Sequence, residues 1–254
     1  MNIKKIEFIG DYQSWDDALA KSDGYDSEVI LNQTRKASLK VKLGEALYER
    51  DSYLFYDKIE YPHYLIAALY KNSIIHDSKL NVLDFGGSLG SSYNLIKKYI
   101  NDSVPIKWNI VEQEKYVEVG KRDFQTNELF FFENIDECLE KNEINFVLVS
   151  SVLQYISNPY LIIDELCNIN AFHLLLDRTA FIKGTTERIT IQNVPSFIYE
   201  ASYPARFFVE KDIKEAFAKN NYISIDQFKS LDKNSPHCGK GYCKGILFEK
   251  NTID

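Results

Sequence analysis

The chain has 254 residues, of which 45% are hydrophobic and 26% are charged, so it suits a folded α/β domain with an addition and not a disordered chain. Its net charge of -7 argues against nucleic-acid binding, which requires a broad basic surface. We expect neither a membrane span nor a signal peptide, because no apolar run has the length or flanks of either. Four scattered cysteines argue against a disulfide framework, and we expect a cytoplasmic protein with reduced thiols.

The segment 1–75 favours helices. "SWDDALAKS" predicts a helix with Ser14 as its N-cap and Asp17 at the third helical position. "DSEVILNQTRKASLKVKLGEAL" has apolar residues at helical spacing, and "YPHYLIAALYKN" predicts a third helix with Pro62 in its first turn. We expect these helices to cap the cleft of the following domain, to form the surface of a homodimer, or to do both.

From residue 80 onward, short apolar segments alternate with amphipathic helices. The predicted strands are 80–85, 106–112, 128–132, 145–150 and 172–177, and the predicted helices are 91–100, 114–125, 135–141 and 158–169. This alternation predicts a parallel sheet covered on both faces. A helix near 210–219 and strands near 222–229 and 244–249 add an antiparallel pair at one edge. We therefore expect an α/β fold, with a mostly parallel Rossmann-like domain at 76–254 and an antiparallel edge strand.

The segment "LDFGGSLG" follows the first predicted strand and precedes a helix, which is where such a sheet binds ligands. Glycines there let the chain turn sharply and let a ligand approach the backbone. The dinucleotide pattern G-x-G-x-x-G fails at Ser88, and the carboxylate of Asp84 would repel a pyrophosphate. A Walker A loop is excluded, because no Gly-Lys-Ser/Thr follows.

An acid at this position fits a ligand that carries positive charge and no phosphate, and S-adenosylmethionine is such a ligand. Its ammonium can meet Asp84, and its ribose hydroxyls require an acid after the second strand, where Glu112 lies. Its adenine amino group requires an acceptor after the third strand, where Glu133 or Asn134 lies. The predicted cofactor-binding residues are Asp84, Gly86, Gly87, Ser88, Gly90, Glu112, Gln113, Glu133, Asn134, Ile135, Ser150 and Gln154, with S-adenosylhomocysteine as the product.

The ordered segments "VLDFGGSLG", "NIVEQ", "FFFENIDE" and "VLVSSVLQYISNPYLIIDEL" resemble the class I S-adenosylmethionine-dependent methyltransferases. More narrowly, the chain is similar to a group of methyltransferases, mostly without an assigned acceptor, from bacterial polysaccharide-biosynthesis (capsule) clusters. The similarity lies in "LQY" after the fourth strand, in "SYPA" at 202–205, and in Ser14, Trp15, Ala18, Gly24, Tyr25 and Asp26. The resemblance covers nearly the whole chain and implies a class I sheet, S-adenosylmethionine as cofactor and a small-molecule acceptor.

The candidate catalytic residues depend on the acceptor. A sugar hydroxyl requires a general base, for which His63 is the first choice, followed by Tyr203 or Asp177. An anionic oxygen of a phosphate or phosphoramidate requires no base but needs cations to position it, and Arg206 and Arg178 would supply them. We expect "SYPARFF" to be a turn-rich segment near the cleft.

The sequence favours an O-methyltransferase for a small carbohydrate or nucleotide-linked precursor of a bacterial surface polysaccharide. Two other classes stay open, namely a nucleotide-dependent oxidoreductase on a Rossmann sheet and a non-catalytic scaffold that keeps the fold. "HCGKGYC" at 237–243 favours a turn over a metal site, because it offers three zinc ligands in open spacing. "ERD" at 49–51 could fold over the cleft and let Arg50 meet an anion, but a surface ion-pair cluster is favoured. His173 in its apolar strand favours the core.

Overall fold

The computed structural model describes residues 6–24, 28–100, 104–230, 232 and 235–252, and Tyr25 and Asp26 lie outside them. Its strands are β1 (Glu7–Tyr12), β2 (Tyr48–Arg50), β3 (Tyr53–Phe55), β4 (Leu80–Phe85), β5 (Ile106–Val111), β6 (Leu129–Phe132), β7 (Phe146–Ser150), β8 (His173–Ile182), β9 (Arg188–Val194), β10 (Ala201–Phe207), β11 (Tyr222–Lys229) and β12 (Gly241–Lys250). Its helices are α1 (Trp15–Leu19), α2 (Glu28–Lys42), α3 (His63–Ile75), α4 (Ser91–Ile100), α5 (Glu114–Asp123), α6 (Ile135–Lys141), α7 (Pro159–Asn168) and α8 (Glu210–Lys219). Within these described ranges, no helix combines the length and the hydropathy that crossing a membrane requires.

Seven strands form the central sheet in the order β11-β12-β8-β7-β4-β5-β6. The pairs between β4, β5, β6, β7 and β8 are parallel, whereas β12 runs antiparallel to both β8 and β11. Strands β4, β5, β7 and β8 are buried along most of their length, as a parallel sheet with helices on both faces requires. The structure confirms the predicted mostly parallel sheet with an antiparallel pair at one edge.

Alternate residues of each central strand enter two different cores, one on each face of the sheet. Val82 and Leu148 pack with side chains of α3, α4 and α5 on one face. Leu83 and Val149 pack with side chains of α6, α7 and α8 on the other. His173 is fully buried in β8, which confirms its predicted place in the core. Helix α3 of the N-terminal region packs on the first of these faces, so side chains on that face can contact the N-terminal region.

The N-terminal region contains the three predicted helices together with strands that the sequence did not reveal. The backbone N–H of Asp17 donates to Ser14 Oγ at 3.1 Å, which confirms the predicted N-cap of α1. Strand β1 pairs antiparallel with β9, which also pairs with β10, so a second sheet of three strands joins both ends of the chain. The predicted boundary between 75 and 76 coincides with the end of α3, but β1 belongs to a sheet that the later residues complete.

A two-residue turn joins β2 to β3 and forms a hairpin. Asp51 and Ser52 occupy this turn with φ angles of 51° and 67°. Two positive φ angles are typical of the hairpin turn that usually carries Asn-Gly or Asp-Gly. Because the second turn residue here is serine, the sequence around 48–55 gave little sign of a hairpin.

The prediction of a turn-rich "SYPARFF" segment was wrong, because these residues form β10. Ala201, Tyr203, Ala205 and Phe207 are buried at every second position, which is the period of a strand, and of the residues between them Ser202 and Arg206 are more exposed while Pro204 is also buried. Pro204 hides that pattern in the sequence, but an edge strand tolerates proline.

Gly120 tests how tightly α5 packs on the sheet. A Cβ atom at this position would lie 2.3 Å from Cδ1 of the buried Phe131 ring. We expect Gly120→Ala to lower the melting temperature, because overpacking costs about 1–3 kcal/mol and outweighs the roughly 1 kcal/mol that alanine gains in a helix. Thermal unfolding measures the change, with the exposed Glu118→Ala on the same helix as control. An unchanged or higher melting temperature for Gly120→Ala would contradict the packing.

Candidate functional site

A cavity of about 790 Å³ lies at the carboxyl ends of the central strands. Its floor is formed by residues that end or follow β4, β5, β6, β7 and β8, and its cover by the β2–β3 hairpin and the beginning of α3. Open parallel sheets bind ligands at this edge, and small-molecule sites have volumes of roughly 300–1,000 Å³. The cavity is therefore the candidate functional site.

Four polar residues form a row across the floor of the cavity, and we call them the polar row: Glu112, Asp84, Ser150 and Asp177. They belong to or follow β5, β4, β7 and β8, which are neighbours in that order. The register of the strand pairs puts all four on the face that also carries α3 and α4. Neighbouring strands lie about 4.8 Å apart, so the polar row spans roughly 14 Å from its first member to its last.

Asp84 is the most enclosed member of the polar row, with 1% of its surface exposed. Its Oδ2 accepts a hydrogen bond from Trp108 Nε1 at 2.9 Å. Burial raises the pKa of Asp84 to about 7, although the bond from Trp108 opposes this change and the charge of Glu112 adds to it. A Cβ atom on Gly87 would lie 2.6 Å from the Asp84 carboxyl carbon, so the loop can pass the carboxylate only with glycine at that position.

Glu112 connects the glycine loop to the end of β5. Its Oε1 accepts from the backbone N–H of Ser88 at 3.3 Å, and its Oε2 accepts from that of Gln113 at 2.8 Å. Burial raises the pKa of Glu112 to about 7, against the effect of the two N–H donors. Ser88 has a φ of 54°, a conformation that non-glycine residues adopt at a cost, and functional loops often contain such residues.

The β2–β3 hairpin is held against the glycine loop by a buried carboxylate. Glu49 accepts hydrogen bonds from the hydroxyl of Ser91, the first residue of α4, and from the backbone N–H of Ser52 at 3.0 Å. The hydroxyls of Ser52 and Thr34 lie 3.0 Å apart and connect the hairpin to α2. Burial raises the pKa of Glu49 to about 7.

Arg178 links the hairpin to the far side of the cavity. Its Nε donates to Asp232 Oδ2 at 2.7 Å, and its guanidinium also binds the carboxylate of Asp51. Burial alone would lower the pKa of Arg178, but the two carboxylates hold that pKa well above its ordinary value. The guanidinium is thus already neutralised by two anions. The "ERD" segment lines the cavity, as the less favoured of its two predicted positions has it, while the expected surface position holds for the exposed Asp51 but not for the buried Glu49.

The structure brings eleven of the sequence-predicted residues together in the cavity lining: His63, Asp84, Gly86, Gly87, Ser88, Glu112, Gln113, Glu133, Ser150, Asp177 and Arg178. His63 is exposed at the beginning of α3, with its ring edge-on to Tyr99 at 6.3 Å between centroids. Gly90, Asn134, Ile135, Gln154, Tyr203 and Arg206 do not line the cavity.

Three of these six residues have local structural contacts instead. Asn134 caps α6, because its Oδ1 accepts from the backbone N–H of Glu137 at 2.8 Å. Gln154 is buried and donates to the backbone oxygen of Arg178 at 3.2 Å. Ile135 begins α6 and packs against the core on the other face of the sheet.

The second sheet explains the position of Tyr203 and Arg206. Tyr203 is buried, and its hydroxyl accepts from Gln192 Nε2 at 3.0 Å. Arg206 donates to Glu187 Oε2 at 2.8 Å and stacks over the ring of Trp15 at 5.7 Å. Both residues belong to β10, and their side chains make these contacts instead of lining the cavity.

Carboxylates predominate in the cavity. Among the described residues, eight acidic side chains line it: Glu49, Asp51, Glu60, Asp84, Glu112, Glu133, Asp177 and Asp232. The lysine and arginine side chains in the same lining are Arg50, Arg178 and Lys229, and none of them comes from the glycine loop or the ends of β4 to β7. Among the described residues, no group of three or more His, Cys, Asp or Glu is arranged to hold a metal ion.

Sequence reasoning missed Asp232 and the role of Asp51, although both contact Arg178. Asp232 follows β11 and carries no motif, so the sequence offers no signal for it. Asp51 belongs to "ERD", but its contact depends on a hairpin that the sequence did not reveal.

No protein-family model matches the sequence, and no curated protein matches it. Solved structures do match the fold. The N-terminal domain of EvdMO1, crystallised in the presence of S-adenosylhomocysteine and D-fucose, has a TM-score of 0.54 at 10% identity over 90% of this chain and 98% of that chain. The chain has the fold of the class I methyltransferases.

Two other matching structures are named as methyltransferases. Magnesium protoporphyrin IX methyltransferase from Synechocystis, with bound S-adenosylmethionine, has a TM-score of 0.48 at 12% identity over 89% of this chain and 100% of that chain. An S-adenosylmethionine-dependent methyltransferase from Clostridium acetobutylicum has a TM-score of 0.47 at 10% identity over 85% of this chain and 98% of that chain. Since no sequence relative matches, the narrower resemblance to polysaccharide-cluster methyltransferases stays a prediction.

The buried Asp84 predicts a dependence of stability on pH. Its pKa of about 7 in the folded protein exceeds the value of about 4 in an unfolded chain, so the folded state keeps a proton that the unfolded state has lost. The stability of the protein should therefore fall as pH rises between these values. We expect Asp84→Asn, which cannot ionise, to raise the melting temperature more at pH 8 than at pH 5.

Thermal unfolding of both proteins at the two pH values measures this difference. Asp226→Asn is the control, because Asp226 is an exposed carboxylate in β11. An equal effect of Asp84→Asn at both pH values would show that burial does not disfavour the Asp84 charge.

Proposed function

We propose that this protein is an S-adenosylmethionine-dependent methyltransferase. The observation that carries the proposal is a pair of carboxylates, the buried Asp84 and the half-buried Glu112, at the ends of neighbouring strands beside a glycine loop. Each has its pKa raised to about 7 by burial, so a cationic ligand near them would recover electrostatic energy. Bound S-adenosylmethionine would supply an electrophilic methyl group on a sulfonium.

The residues of the lining fit the parts of this cofactor. Asp84 would bind its ammonium group, Glu112 its ribose hydroxyls and Glu133 its adenine amino group. Gly86 and Gly87 would let the cofactor lie against the backbone. The fold, which the chain shares with a structure determined with S-adenosylhomocysteine, agrees with this reading but does not by itself assign a ligand.

A dinucleotide fits the same residues poorly. Between Asp84 and Val152, the described residues that line the cavity include ten with polar or charged side chains, and none of these is a lysine or arginine. A pyrophosphate there would face Asp84 and Glu112 without a compensating cation. A nucleotide-dependent oxidoreductase is therefore the weaker alternative.

We propose a hydroxyl group of a small carbohydrate as the methyl acceptor. A phosphate or phosphoramidate acceptor needs free cations, but Arg178 is paired with Asp51 and Asp232, and Arg50 is paired with Glu60. Arg206 does not line the cavity, so Lys229 is the further cation of the described lining that could meet such an acceptor. Hydroxyl groups, in contrast, can bind the many carboxylates and tyrosines of the lining. The EvdMO1 domain was crystallised in the presence of D-fucose, which is a sugar, but that likeness extends to the fold alone.

The biological setting rests on the sequence. A nucleotide-linked precursor, a role in surface-polysaccharide synthesis, a cytoplasmic location and a homodimer all stay predictions. His63 stays a candidate base, since it lines the cavity. The non-catalytic scaffold remains the second alternative, and ligand binding alone does not separate it from an enzyme.

Calorimetric titration with S-adenosylhomocysteine tests the cofactor assignment. We expect micromolar-range binding by the wild type and a loss of about 10- to 100-fold in Glu112→Gln, because a hydrogen bond to a charged group contributes roughly 1.5–3 kcal/mol. Glu118→Gln is the matched control, since Glu118 is an exposed acid on the helix that follows the same strand. Binding of NADPH in place of S-adenosylhomocysteine, or equal affinities in the two variants, would refute the assignment.

A further inference from the structure

Asp177 is the one member of the polar row to which the proposed cofactor site gives no function. Asp177 lies in β8 opposite Ser150, and these two residues are the last pair in the parallel register of β7 and β8. Asp84 and Asp177 lie two strands apart on the same face of the sheet. A ligand that spans Glu112 and Asp84 would therefore present its far end toward Asp177.

The carboxylate of Asp177 accepts a hydrogen bond at one of its two oxygens. Its Oδ1 accepts from the backbone N–H of Arg178 at 2.8 Å. Within the described part of the chain, its Oδ2 has no hydrogen-bond donor, and the side chain is 8% exposed and lines the cavity. Burial raises the pKa of Asp177, while Arg178 and Arg50 oppose this change and Asp232 adds to it. The group can therefore accept a proton at an atom that faces the cavity.

The other acids near Asp177 are occupied. Glu49 accepts bonds at both carboxylate oxygens, from Ser91 and from Ser52. Asp51 and Asp232 bind the guanidinium of Arg178.

Tyr155 is a poor alternative to a carboxylate. Its hydroxyl donates to Gln192 Oε1 at 2.8 Å, and burial raises its pKa far above the neutral range. A tyrosine accepts a proton readily only as the phenolate, which this environment disfavours. Asp177 is thus the carboxylate of this part of the lining with an oxygen open to a ligand.

We infer that Asp177 is the general base that takes the proton of the acceptor, and that the acceptor nucleophile is a neutral hydroxyl group. This inference rests on the proposed function. The acceptor oxygen forms a bond to the methyl carbon while the bond from that carbon to sulfur breaks and its electron pair goes to sulfur. The proton of the acceptor O–H goes to Asp177 Oδ2. The products are the methyl ether, S-adenosylhomocysteine and a protonated Asp177, which returns the proton to water.

The surroundings of Asp177 explain the choice of acceptor. Ser151, Tyr155, Tyr199 and Ser230 line the adjoining part of the cavity and offer hydroxyl groups for a polyol. An acceptor with a phosphate would bring two negative charges beside Asp177 and would meet an arginine, Arg178, that is already paired. Neutral and cationic sugars should therefore be accepted, and anionic ones refused.

The test compares wild type with Asp177→Asn, Asp177→Glu and His63→Gln. The probes are D-glucose, D-galactose, D-mannose and D-glucosamine, with D-glucose 6-phosphate as the anionic counterpart, and methyl transfer from labelled S-adenosylmethionine is measured. We expect the Asp177→Asn rate to fall by about 100- to 10,000-fold, the usual range for loss of a general base, and Asp177→Glu to recover part of it. The sugar phosphate should not be methylated.

Two further measurements separate catalysis from folding and from cofactor binding. Asp177→Asn should bind S-adenosylhomocysteine within about threefold of wild type, since Asp177 is not part of the cofactor site. The wild-type rate of methyl transfer should rise with pH to a plateau. The residual rate of Asp177→Asn should not show this rise with pH. In carboxyl NMR of the ligand-free protein, Asp177 should titrate above the ordinary range of about 4, as Asp84 also should, and the Asp177 signal alone should be absent from Asp177→Asn.

Asp226→Asn is the matched control, because Asp226 Oδ1 also accepts the next backbone N–H, from Gln227 at 2.7 Å, on the exposed surface. Its rate should equal that of wild type. An undiminished rate in Asp177→Asn, or a loss confined to His63→Gln, would overturn the inference. It also falls if wild type binds S-adenosylhomocysteine but methylates none of the sugars, while the proposed function stands. Absence of S-adenosylhomocysteine binding would instead reject the proposed function itself.

Discussion

The burial of carboxylates without a matching cation is the constraint on which the site depends. Asp84 and Glu112 lie at the carboxyl ends of neighbouring parallel strands, and Glu49 reaches the same loop from the hairpin. Burial raises the pKa of all three to about 7. Ionisation of these groups at neutral pH therefore destabilises the folded protein, and binding sites often contain groups that lower stability in this way. A cationic ligand would remove that loss.

The N-terminal region makes the cavity selective. In its hairpin, Glu49 binds the first turn of α4 and Asp51 binds Arg178, so the hairpin joins two sides of the site. The pairing of Arg178 also neutralises one of the cations that an anionic acceptor could use. The same contacts leave Asp177 with one open oxygen beside the hydroxyl-rich part of the lining. The same contacts of the hairpin and of Arg178 thus cover the cavity, neutralise this arginine and leave Asp177 able to accept a proton.

The central sheet and the polar residues at its strand ends that line the cavity could be predicted because their signals are local. All-apolar strands, intervening helices and the polar groups at strand ends lie in short segments such as "VLDFGGSLG" and "NIVEQ". The hairpin, the second sheet and the pairing of Arg178 with Asp232 depend on contacts between distant residues, which no local pattern encodes. Pro204 obscured β10, so Tyr203 and Arg206 were expected near the cleft although they lie in the second sheet.

The most direct test of the account is a crystal structure of the protein with S-adenosylhomocysteine. The account predicts the ammonium within hydrogen-bonding distance of Asp84, the ribose hydroxyls on Glu112 and the sulfur directed toward the end of the polar row that Asp177 occupies. A ligand bound outside the polar row, or one reversed so that adenine lies against Asp84, would contradict it.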